Sequence, residues 1–181
     1  MTGEKIRETF KAVILLTEVL NRLGITNEIL GFQDQVITFK EFSQDLNDAI
    51  RKKITGMVAE AYGENPGGHN NPSDNDDGPC VMEASQSLSR QPGREKFLLV
   101  LSDGEPAGSR SDSHDLHETV EAILNETDQK LVGIGLGEGA VHVRDFYPTS
   151  MSGIKIEELA EKIGNLLKDM IENPAAYNYK K

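Results

Sequence analysis

Side chains that could hold a hard cation gather at two places in the chain. One is Ser102-Asp103, where the apolar run "KFLLVLS" (96–102) ends. The other is the triplet Asn75, Asp76 and Asp77, which closes a long polar stretch. Carboxylate, amide and hydroxyl oxygens of this kind suit Mg²⁺ or Mn²⁺, which take few direct protein ligands and retain several waters. A second chemistry is offered by His114 and His117, three residues apart on a predicted helix with Asp112 and Asp115 beside them. Imidazoles and carboxylates at that spacing would serve a zinc site or, with Asp103, a metal-dependent hydrolase. The same residues also read as a capped helix end facing water. His69 reads as a solvated loop side chain. Asp103 is open between catalytic acid, metal ligand and polar cap of a turn.

Other chemistries find less support. Cys80 is the only cysteine, which excludes an internal disulfide and any multi-cysteine zinc site. Neither G-x-S-x-G nor a GxxxxGK[ST] phosphate loop is present. "GIGLGEG" (133–139) has alternating glycines, but a dinucleotide fingerprint needs a glycine turn that opens directly into a helix. The following "AVHVRDFYP" reads as strand or loop, so the glycines read as close backbone packing at a strand and its turn.

The elements that would carry these residues follow from periodicity. Apolar residues at helical spacing predict a helix over residues 3–23, and Gly24 follows as a stop. A short strand is predicted at 29–32, with a strand or hairpin partner at 35–39. Phe42, Leu46, Ile50, Ile54 and Val58 extend a helical pattern from Phe39 to about Tyr62. Residues 63–79 are rich in Gly, Pro, Asn and Asp and read as a loop, with a helix from Cys80 to about Leu88. The unbroken apolar runs at 96–102 and 130–136 predict strands buried on both faces, as in a parallel sheet. Helices are predicted at 114–126 and 153–171, the second stopped by Pro174. Strands alternating with helices imply an α/β sheet with helices on both faces. Ligands of such sheets lie beyond the carboxyl ends of the strands, where Asp34, Asp103 and the glycine run fall.

Composition narrows the partners. The 181 residues include 30 acidic against 19 basic side chains, a formal charge of −11. That argues against a nucleic-acid surface, which needs a basic stripe. No run is long and apolar enough to span a bilayer, and the start lacks a signal-peptide core, so a cytoplasmic location is expected.

The ordered set of motifs resembles a von Willebrand factor A (VWA) domain, closest to that of the cobaltochelatase T subunit. The residues that carry the resemblance are "MTGEKI" (1–6), "EILGF" (28–32), "NDDG" (75–78), "LLVLSDGEP" (98–106), "GIGLGEG" (133–139) and "YP" (147–148). It implies a doubly wound, mostly parallel sheet spanning residues 1–174, with 175–181 as a frayed tail. It also implies a metal-ion-dependent adhesion site whose open metal position is filled by a partner's carboxylate. Asp103 then matches the site's later aspartate, and Asn75, Asp76 and Asp77 its middle loop, with Ser102 orienting water. The family's first motif, D-x-S-x-S, and the central strand before it have no counterpart here, because the sequence opens just after them. Metal affinity is accordingly expected to be weak or nil, and the groove of that strand to be filled by a homodimer or another segment. The implied partner is an AAA+ ATPase subunit, with this chain non-catalytic. The alternatives are the hydrolase above and a structural module without metal.

Overall fold

A computed structural model describes residues 3–61, 75–102, 105–136 and 140–179. Asp103, His69 with most of the polar loop, and glycines 137 and 139 lie outside the described residues. The first helix, α1 (Gly3–Arg22), leads into a hairpin of β1 (Ile29–Phe32) and β2 (Val36–Lys40). Two short helices follow, α2 (Asp48–Thr55) and α3 (Met57–Ala61). Then come α4 (Asp77–Ser89), β3 (Phe97–Ser102), α5 (Ser113–Glu126) and β4 (Lys130–Leu136). A 3-10 turn (Ala140–His142) and α6 (Val143–Phe146) connect to β5 (Thr149–Ile154) and α7 (Ile156–Glu172).

The α/β class, the parallel sheet and the helices on both of its faces are as the sequence indicates. The strands, however, fall into two sheets. β3, β4 and β5 pair in that order, all parallel, while β1 and β2 form a separate antiparallel pair. Strand alternation sorts the core. On β3, Leu98 and Val100 face Val81, Leu116, Val120 and Ile123 of α4 and α5, whereas Phe97, Leu99 and Leu101 face α1 and α7. A third cluster packs the hairpin against α1, α2 and α3 through Ile29, Phe39, Ile50 and Ile54.

Four local readings need correction. The helix expected from Phe39 begins at Asp48, because Phe39 and Lys40 belong to β2, where Lys40 pairs with Ile29, and Asn47 caps the helix by accepting from the Ile50 N–H at 3.0 Å. α4 begins at Asp77, inside the stretch read as loop, and its Pro79 sits in the first turn, where a missing N–H costs nothing. "AVHVRDFYP" is helical at 140–146, not strand or loop. The tail is packed as far as Tyr179: Tyr177 joins the α7 core and the Tyr179 hydroxyl bonds Thr149 Oγ1 at 2.9 Å. β5 is an element the apolar patterning does not reveal. Its sequence, "TSMSGI", carries little apolar character because only Ile154 is fully buried.

Candidate functional site

Three chain turns meet beyond the carboxyl end of β3. The Asp76 N–H donates to the Gln33 carbonyl at 3.0 Å, joining the turn after β1 to the start of α4. The loop after β3 is stitched to the same place. Ala107 N–H donates to the Asn75 carbonyl at 3.2 Å, and Asn75 Nδ2 reaches the Glu105 carbonyl at 3.4 Å. The Gly78 N–H donates to Ser111 Oγ at 2.9 Å. The turn after β1 of the hairpin and the carboxyl end of β3 in the parallel sheet are therefore brought to one place, beyond the strand end where such sheets hold ligands.

Asp76 is the hub of this edge. It is 0% exposed, and both carboxylate oxygens are engaged by one residue. Oδ1 accepts the Arg110 backbone N–H at 2.7 Å, and Oδ2 accepts Arg110 Nε at 2.9 Å. A buried carboxylate needs such charge-assisted bonds to offset lost hydration. The same contact sends the Arg110 guanidinium above its ordinary range, through the hydrogen bond first and with Asp76 and Asp34 as further negative neighbours. Gly108 makes the approach possible: a Cβ there would lie 1.9 Å from Asp76 Oδ1.

The neighbouring candidates are placed differently. Asn75 is half-buried at the rim, and Ser102 is buried at the end of β3. Asp77 opens α4 and is buried, close enough to Tyr147 for its charge to act there. Burial first, and Asp77 second, holds the Tyr147 hydroxyl protonated well above the usual phenol range. Tyr147 Oη is buried and makes no hydrogen bond among the described residues. The Tyr147 ring lies over β4 at Gly133, where a Cβ would meet ring carbon Cδ2 at 2.2 Å.

The histidines take other duties. Asp112 and Asp115 form a reciprocal capping box at the start of α5, with Asp112 accepting from the His114 and Asp115 N–H groups at 2.7 and 3.1 Å. His114 Nε2 lies 3.3 Å from Glu118, and the His117 ring packs at a tilt on Phe146, with ring centres 4.7 Å apart. Among the described residues no three His, Cys, Asp or Glu side chains are grouped to hold a metal. The remaining donors are hard oxygens, from Asn75, Asp77 and Ser102, in the chemistry that suits Mg²⁺ or Mn²⁺. Sequence reasoning missed Arg110, Ser111 and Gly108. A buried acid at a helix start requires a counter-charge, and Arg110 in the loop after β3 provides it for Asp76.

No family model matches the chain. It is 24% identical over 129 residues to the uncharacterized protein YojO of Bacillus subtilis (strain 168), a match covering 67% of this chain and 19% of that protein. The chain thus spans about a fifth of that relative. Among solved structures it resembles proximal thread matrix protein 1 (PTMP1) of the mussel byssus. Crystal form 2 of PTMP1 superposes with a TM-score of 0.62 at 17% identity, covering 93% of this chain and 43% of that one. The form with a zinc-occupied MIDAS motif gives 0.63, again at 17% identity with 93% and 43% covered. The shared fold is that of a VWA-like domain. Among the described residues no helix is long and apolar enough to cross a membrane.

Proposed function

We propose that this chain is a protein-interaction module that captures a carboxylate of a partner protein at the carboxyl edge of β3. The observation that carries this reading is the convergence of the turns after β1, before α4 and after β3, fastened to one another by hydrogen bonds. Such fastening fixes oxygen donors before a ligand arrives, so little ordering is lost on binding. Asp103, Asn75, Asp77 and Ser102 are the residues that would hold a divalent ion; Asp76 acts through Arg110, as the fastener of the two loops. When bound, the ion would supply an electrophilic position for the incoming carboxylate, while the chain's own residues orient and partly dehydrate it. Mg²⁺ or Mn²⁺ matches the donor set, and the zinc-occupied MIDAS motif of PTMP1 supports a divalent ion in this fold.

The partner we favour is an AAA+ ATPase subunit of a chelatase-type assembly, a reading supported by the resemblance to the cobaltochelatase T subunit. A second copy of the chain, joined through the unpaired edges of β1 and β3, is the proposed self-association. Calorimetric titration with Mg²⁺, Mn²⁺ and Zn²⁺ tests the metal part. Weak saturable binding is expected in the wild type and its loss in Asp103→Ala, with Asn75→Ala intermediate. Absence of binding in the wild type, or equal binding in Asp103→Ala, would overturn it.

A further inference from the structure

Arg110 is fastened at one edge of its guanidinium and open at the other. Its Nε and backbone N–H are both committed to the buried carboxylate of Asp76. The side chain is nevertheless 54% exposed, against 0% for Asp76. Among the described residues Nη1 and Nη2 make no hydrogen bond or ion pair. A flexible surface arginine loses rotamer freedom when it binds an anion, but here that freedom is already spent on the Asp76 contact. The planar Nη1–Nη2 edge matches a carboxylate in a bidentate fork.

We propose that Arg110 is a partner-recognition residue that takes an Asp or Glu side chain end-on through Nη1 and Nη2. The argument from charge complementarity is local. The chain as a whole is acidic, at −11, so an acidic partner approaches against the general field and needs a fixed cation to dock. Arg110 stands at the loop edge of the proposed carboxylate site, so the favoured partner segment carries two neighbouring carboxylates, one for the metal position and one for the guanidinium. This deepens the reading above and rests on it for the identity of the partner surface. The Arg110 contact itself requires no metal.

The test is a titration of arginine-¹⁵N-labelled protein with an acetylated, amidated tri-glutamate peptide in EDTA, followed through the Arg110 Nε–Hε and Nη resonances. Saturable shifts confined to Arg110 and its loop are expected, with tri-glutamine giving none. Arg110→Lys keeps the charge and loses the fork, so binding should weaken about fivefold or more. Absence of an Arg110 shift in the wild type, or equal binding by Arg110→Lys, overturns the proposal. Binding that appears only on adding Mg²⁺ and ignores Arg110→Lys would do the same while leaving the metal-based reading standing.

Discussion

Asp76 and Asp77 are adjacent carboxylates with unlike duties. Asp76 turns toward the loop after β3 and is neutralised by Arg110, while Asp77 opens α4 beside Tyr147. Their neighbour Cys80 sits one turn into the same helix, buried, with its sulfur 3.9 Å from the Gln33 carbonyl. Burial pushes its thiol up to about 12; Arg110 pulls the other way, and Asp76, Asp77 and Glu83 add to the rise. A thiol with a raised pKa stays protonated at neutral pH and is neither nucleophile nor metal ligand. Iodoacetamide at mildly alkaline pH should therefore modify Cys80 about a thousandfold more slowly than free cysteine, whose pKa is near 8.5. Modification of the native protein at the free-thiol rate, followed by mass spectrometry, would contradict this placement of Cys80.

At the level of elements, β4 shows what the sequence reveals and what it hides. Its apolar run is legible because every residue from Lys130 to Leu136 is buried. The face toward α1 and α7 carries Val132, Ile134 and Leu136, whereas the opposite face carries Leu131, Gly133 and Gly135. The two glycines admit the Tyr147 ring and the backbone of Ala140. Gly133→Ala should consequently destabilise the fold by roughly 1–3 kcal/mol through overpacking. Gly164→Ala on α7 meets nothing within 4 Å and should stabilise by roughly 0.5–1 kcal/mol through helix propensity. Urea unfolding of the two variants reads opposite signs; a Gly133→Ala midpoint at or above wild type would refute the close packing. Long periodic segments such as α1, α5 and α7 were legible for the same reason as β4, namely one continuous buried stripe. β5 was not, because only Ile154 of it is fully buried, nor was 140–146, whose three- and four-residue turns are too short to show a helical stripe. Asp76 and Asp77 stand out in the sequence as an acidic pair, and the structure places them at the start of α4. The Asp76–Arg110 contact was not, because a pairing 34 residues apart leaves no local pattern.

Over the whole molecule, two sheets are held together by helices instead of by strand pairing. α1 contributes Ala12 and Leu16 to the core of the parallel sheet and Ile6, Phe10 and Val13 to that of the hairpin. α4 touches both β1 and β3. Among the described residues β1 pairs only with β2, and β3 only with β4, so each presents an unpaired edge. The β3 edge leaves Leu98, Leu99 and Leu101 only half-buried, where the sequence alone points to burial on both faces. An apolar edge strand of this kind is a template for another strand. The self-association proposed above would place a second copy there, through a two-fold contact that pairs like with like. Its cost is the repulsion of two chains of −11 each. That repulsion is screened as the Debye length falls from about 30 Å at 0.01 M salt to about 3 Å at 1 M. Sedimentation velocity should thus show self-association that grows with both protein concentration and ionic strength. Hydrogen exchange should show matching protection confined to β1 and β3, since backbone pairing is what the contact adds. A monomer at every concentration and salt, with exchange in β3 unchanged, would remove the second copy from the list of partners and leave the edge to a segment of another protein.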